Sequence, residues 1–198
     1  MRKIVLILLV LTACSTTPSR PVVNYTQEDR VYMNQYSQLA PKNAKIGKDY
    51  KVNGEWFYPM HDPSYDKTGV ASWYGPGMIN GKTANGEHFD SSDFTAAHPS
   101  LPIPTIVEVT NLDNGRKVNL RVNDRGPFHS KRIIDVSKPA AQALDMIRSG
   151  TAHVRVRVLE RETLEYMQYA NNLNSNGPQA AAAAGGNLSP DQFWEKIK

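Results

Sequence analysis

Cysteine occurs once in the 198 residues, at Cys14. A disulfide framework is therefore excluded, and the fold has to be held by its core. Long hydrophobic runs are equally scarce. The run from Ile4 to Leu11 has less than half of the roughly 20 apolar residues that cross a bilayer. Charge of one sign is also lacking: the formal net charge is +4, and Arg2 and Lys3 contribute to it from a segment expected to be removed. That surplus is too small to argue for nucleic acid as a partner. The five histidines, His61, His88, His98, His129 and His153, show no paired spacing with acids or cysteines, so neither a metal site nor a cofactor is expected. Gly75 to Thr83 has the look of a phosphate-binding loop, but Pro76 stands where that loop needs glycine. What remains, at 40% hydrophobic, is enough apolar material for one ordinary domain.

The N-terminus joins a basic Met1-Arg2-Lys3 to a short apolar run and then to Leu11-Thr12-Ala13-Cys14. Residues 1–13 read as a signal peptide. A small residue before the single cysteine resembles a bacterial lipobox, with Cys14 as the lipidated first residue of the mature chain; the alternative is a plain secretory signal with an incidental cysteine. Ser15 stands where an inner-membrane retention signal places Asp, which favours the periplasmic face of the outer membrane. Residues 14–47 are polar, with Pro18, Pro21 and Pro41 and no sustained period, and are expected to be a flexible tether. Residues 48–67 carry β-favouring side chains around Asn53-Gly54, a candidate hairpin packed on the domain. After Glu160, residues 161–198 read as a helical stretch from Glu162 to Ala170, an Asn-, Gly- and Ala-rich linker, and a short amphipathic end from Asp191 to Lys198.

Residues 68–160 are the organised part. Val107 and Val109 flank Glu108; Val118, Leu120 and Val122 alternate with Asn119 and Arg121; Val154, Val156 and Val158 alternate with Arg155 and Arg157. Each is a period-two strand with one buried face. Asp113-Asn114-Gly115 predicts a hairpin between the first two. Ser137-Lys138-Pro139 opens a short helix through Ile147, with Ser137 as N-cap and Gly150 as the stop. Short strands, many turns and one helix indicate a mainly β fold, a small barrel.

Polar side chains concentrate in this barrel segment: Glu87, Asp90, Asp93 and His98, then Asn123-Asp124-Arg125-Gly126-Pro127-Phe128. Asp124 ends an alternating strand and enters a Gly-Pro turn, so its carboxylate is placed at the barrel rim, where a rigid element presents functional groups well. The competing reading is an Asp that merely caps its own turn. Glu87 and His98 each have a plain alternative as well, a solvated charge after a turn and a structural histidine.

Five segments in order carry a family resemblance: Ala71-Ser72-Trp73-Tyr74-Gly75-Pro76-Gly77, Lys82-Thr83-Ala84-Asn85-Gly86-Glu87, Ala96-Ala97-His98, Val109-Thr110-Asn111-Leu112, and Arg121-Val122-Asn123-Asp124-Arg125-Gly126-Pro127-Phe128. Together they resemble the rare lipoprotein A family over roughly residues 68–160. The resemblance implies a six-stranded double-psi β-barrel with a short helix, flanked by flexible N- and C-terminal segments. It also implies a lytic transglycosylase acting on peptidoglycan glycan strands, with Asp124, Glu87 and His98 as the catalytic group. Asp124 is the expected acid, then base; Glu87 polarises it or holds a sugar hydroxyl; His98 orients a carboxylate or donates to substrate. Trp73, Tyr74 and Phe128 offer sugar-stacking faces, although Trp73 and Phe128 fit the core equally well by size. Asn123 and Arg125 are further substrate-binding candidates. A non-catalytic glycan-binding or wall-loosening module, and a lipoprotein scaffold for cell-division proteins, remain as alternatives.

Overall fold

The computed structural model describes residues 20–74, 81–129 and 131–183, with side chains as far as residue 172. The signal peptide, Cys14, the Gly75–Asn80 part of the glycine-rich stretch and the Asp191–Lys198 end lie outside the described residues.

Among the described residues, eight strands and three helices follow one another: α1 (Gln27–Leu39), β1 (Tyr50–Val52), β2 (Glu55–Phe57), β3 (Asp66–Trp73), β4 (Thr95–Ala97), β5 (Thr105–Asn111), β6 (Lys117–Asp124), β7 (Arg132–Val136), α2 (Lys138–Ala143), β8 (Thr151–Val158) and α3 (Glu160–Ala183). Six strands close a barrel in the order β3-β7-β4-β6-β5-β8. Two neighbour pairs are parallel, β3 with β7 and β4 with β6, and the others are antiparallel. This is the double-psi barrel, and closure leaves it without a free sheet edge.

Alternation drives the closure. Along β8, Ala152, Val154, Val156 and Val158 are buried while Thr151, His153, Arg155 and Arg157 are exposed. Arg155 reaches Asp66 on β3, and Arg157 reaches Glu108 on β5 at 3.3 Å. The inward side chains meet Val107, Val109, Leu120, Val122, Ile134 and Val136 in one core. Gly69 has a packing reason: a Cβ there would lie 2.6 Å from Ile133 Cγ2. β5 and β6 form a hairpin over the predicted Asp113-Asn114-Gly115 turn. β1 and β2 pair around Asn53-Gly54, both at positive φ.

Three expectations are corrected. Residues 14–47 are not all coil: Thr26 and Asp29 form a capping box that starts α1, and Tyr32 and Tyr36 pack with Met167 of α3 in a second small core. The apolar period was faint because the buried face consists of tyrosines. The Tyr36 hydroxyl donates to Pro104 O at 3.0 Å, which ties α1 to the barrel. At the other end, the expected linker after Ala170 continues as α3 to Ala183. The short helix α2 is also briefer than expected. It ends at Ala143, and Ser137 holds Thr95 N through its hydroxyl instead of capping its own helix.

Candidate active site

Asp124 closes β6, at a point where the parallel pairing with β4 is irregular and Ala97 stands opposite Asp124. Gly126, at φ +121°, then turns the chain away in a conformation that L side chains rarely adopt. Oδ1 of Asp124 accepts two backbone N–H groups, from Ala84 and from Arg125, each at 2.8 Å. These two bonds fix the rotamer. Oδ2 has no hydrogen-bond partner among the described residues and is the oxygen left for a ligand.

The bond to Ala84 brings the 82–89 loop onto the barrel rim. That loop is pinned by Thr83 N to Glu87 O at 2.9 Å, Gly86 N to Thr83 O at 2.8 Å and Phe89 N to Gly81 O at 3.0 Å. Asn85 Oδ1 accepts from the Thr83 hydroxyl and from Glu87 N. Glu87 sits on the loop that Asp124 holds through Ala84 N, and its Oε2 meets Arg121 Nη1 at 2.7 Å. The Arg121 side chain is only 8% exposed and also reaches Asp93 at 3.4 Å, with the Tyr166 ring 5.4 Å from its guanidinium carbon. Burial pushes the Glu87 pKa up, but Arg121, with Asn85 and Asn123, outweighs it and holds the carboxyl below the ordinary glutamate range. Glu87 is a fixed negative charge. Asp93, more weakly paired, is raised by burial against the pull of Arg121.

His98 follows Ala97 at the end of β4. It is 1% exposed, its Nδ1 accepts from Ser100 N at 3.2 Å and Leu101 N at 3.0 Å, and its Nε2 meets the Tyr65 hydroxyl at 3.0 Å. Two donors at Nδ1 assign the proton to Nε2. Burial, with the nearby charge of Arg125, lowers its pKa to about 3, so the ring is neutral. Both nitrogens are occupied within the protein, and neither bonds to Asp124 or Glu87. His98 acts on Asp124 through the backbone instead, His98 N donating to Asp124 O at 3.1 Å.

The remaining candidates divide. Asn123 is buried and its amide favours the Glu87 anion. Arg125, expected to bind substrate, spends its guanidinium on carbonyls: Leu101 O and Ile46 O at 2.7 Å and His98 O at 3.3 Å. Trp73 packs against the barrel core. Tyr74 sets its ring edge-on to Phe89 at 5.7 Å, and its hydroxyl is buried with no partner among the described residues. Burial, then the charges of Asp124 and Asp135, raises its pKa. Phe128 joins Tyr50 and Phe57 in an edge-on cluster and lines a 330 Å³ pocket with Lys45, Ala84 and Arg125. Glu87 opens onto a second pocket of 180 Å³ with Asn43, Asn85 and Tyr166. Among the described residues, no cluster of His, Cys, Asp and Glu is arranged to hold a metal ion, and no helix is long and apolar enough to cross a membrane.

Sequence reasoning missed Arg121, Asn85 and Asn43. Alternation with Leu120 and Val122 placed Arg121 on the outer face, correctly, but that face is covered here by Tyr166 and the 82–93 segment.

Residues 66–156 match the family model described as lytic transglycolase. A curated relative from Rickettsia felis, named endolytic peptidoglycan transglycosylase RlpA, is 37% identical over 91% of this chain and 80% of its own length. Proteins of the same name from Neisseria meningitidis (serogroup A) and Campylobacter jejuni are 51% and 53% identical over 58% and 57% of this chain. The chain spans less than half the length of those two relatives, 48% and 41%. Among solved structures, the Streptomyces papain inhibitor aligns over 48% of this chain and 94% of its own, with TM-score 0.40 and 23% identity. Because the Rickettsia felis relative matches through most of both chains, beyond the barrel itself, the chain belongs to the RlpA family.

Proposed function

We propose that this chain is a lytic transglycosylase that cuts the β-1,4 bond between N-acetylmuramate and N-acetylglucosamine in peptidoglycan glycan strands and leaves a 1,6-anhydro end. The observation that carries the reading is Asp124: one oxygen is locked by two N–H groups and the other is open, and the loop it holds through Ala84 carries a carboxylate that Arg121 keeps ionised. In its protonated form Asp124 gives the Oδ2 proton to the glycosidic oxygen as the bond from that oxygen to C1 breaks. Positive charge develops on the ring oxygen and C1. The 6-hydroxyl of the same sugar then attacks C1, and its proton returns to Asp124. No water is consumed, so a single acid–base group serves both half-steps. Glu87 supplies a fixed negative charge that favours the cationic transition state. Asn123 and Arg121 hold it there.

The test is Asp124→Asn in the full chain, with peptide-free glycan strands as substrate and anhydro ends counted by mass spectrometry. The variant keeps the shape of the side chain but has no carboxylic proton. Glycan binding is expected to persist while anhydro ends fall about 10²–10⁴-fold. Wild-type protein that binds strands yet yields no anhydro ends makes the barrel a glycan-binding module instead.

The same reading places the enzyme at the periplasmic face of the outer membrane, lipidated at Cys14. Its support is the basic start, the short apolar run and the small residue before the single cysteine.

A further inference from the structure

The segment between α1 and β1 was expected to be tether, yet it lies across the rim that carries both carboxylates. Three of its residues grip that rim in turn. Asn43 Nδ2 donates to Glu87 Oε1 at 3.3 Å. Lys45 exchanges backbone bonds with Ile103, at 2.6 and 2.7 Å, and its Nζ donates to Ala84 O at 2.7 Å. Ile46 O accepts from Arg125 Nη2 at 2.7 Å. Ala84 is therefore held at both ends, by Lys45 at its carbonyl and by Asp124 at its N–H. Glu87 is likewise held on both oxygens, by Asn43 and by Arg121. The segment is itself anchored next door, where Tyr36 of α1 bonds Pro104 O and Asn171 of α3 bonds Leu39 O at 2.7 Å.

We infer that residues 41–47 form a strap that completes the active site, with Asn43 and Lys45 as positioning residues for Glu87 and, through Ala84, for Asp124. The matched barrel of residues 66–156 contains both carboxylates but neither of these supports. A glycosidic bond has to be protonated at a defined angle, so a loop free to move by 1 Å loses much of its rate while the strand still binds. The inference rests on the transglycosylase reading for its kinetic consequence, though not for its electrostatic one. The groups that face Glu87 are Arg121 of β6, Tyr166 of α3 and Asp93 of the following loop. The strap contributes the amide of Asn43, the place where one added charge acts on Glu87 directly.

Lys45→Met, Lys45→Arg and Asn43→Asp are compared in the full chain. Lys45→Met is expected to lower kcat about 10–100-fold with KM and glycan binding unchanged, and Lys45→Arg to restore most of it. Asn43→Asp sets a like charge against Glu87. It is expected to raise the Glu87 titration midpoint, read by carbon-13 NMR, and to move the acid limb of the rate profile to higher pH by the same interval. Unchanged kcat in Lys45→Met overturns the inference, as does a Glu87 midpoint that Asn43→Asp leaves in place. Asn43 is exposed, so Asn43→Asp keeps the test open if Lys45→Met fails to fold. If the wild type makes no anhydro ends, the transglycosylase reading falls by itself, and the Glu87 midpoint still decides the strap.

Discussion

The pairing of Glu87 with Arg121 can be measured by a double-mutant cycle. In Glu87→Gln, the guanidinium, 8% exposed, keeps the neutral Gln oxygen, Asp93 at 3.4 Å and the Tyr166 ring. It cannot shed its charge, so the loss is the difference between an ionic and a neutral acceptor, about 1–2 kcal/mol. In Arg121→Met, two carboxylates lose their cation, but Glu87 is 30% and Asp93 40% exposed, and water covers part of that loss. The 3–5 kcal/mol typical of a broken buried pair is an upper bound for this variant, and about 2 kcal/mol is expected. The coupling energy from the cycle is then about 1–2 kcal/mol at pH 7, read by urea unfolding at fixed temperature. Its pH dependence has a definite sign. The folded-state pKa of Glu87 is depressed, so the pair's contribution is complete above the ordinary glutamate pKa of about 4.3 and is lost as pH falls through the depressed value. A coupling below about 0.3 kcal/mol at pH 7, or one that grows as pH falls, would refute the argument that Arg121 fixes Glu87 as an anion.

Other outcomes follow from the same geometry. Leu120→Ala empties a fully buried position in the barrel and is expected to cost about 2–5 kcal/mol, seen as a lower urea midpoint with unchanged slope. His98→Gln changes the pH profile of stability: with a folded pKa near 3, the wild type loses stability as pH falls from the unfolded value of about 6.5 toward 3, and the variant lacks that component. Parallel unfolding curves for the two proteins between pH 7 and 4 would contradict a neutral, buried imidazole. Cys14→Ala is expected to leave the outer-membrane fraction while the barrel still melts as the wild type does; a variant that stays with the membranes would show that another segment is the anchor.

Local pattern was sufficient wherever one element carried its own signal. Alternation marked β5, β6 and β8 because each turns alternate apolar side chains into one core, and Asp113-Asn114-Gly115 marked the hairpin because the turn requires those residue types. Motif order, through the family resemblance, supplied the barrel type and the three polar residues. Helix α1 went unseen, since its capping box uses Asp29 and its buried face uses tyrosines that read as polar. The parallel pairs β3–β7 and β4–β6 leave no local mark either, because their partners are joined by long excursions and not by a turn. The site divides the same way. Asp124 was visible as an acid at a rim and Glu87 through the family motif, but the neutral state of His98 depends on its burial and on Arg125 nearby, and the ionised state of Glu87 depends on a buried Arg121. Charge state is set by burial and by neighbours brought from distant parts of the chain. Residue identity therefore told which groups could do chemistry, and only the packing of α3, the strap and the 82–89 loop on the barrel decided which of them are held charged, neutral or open to a ligand.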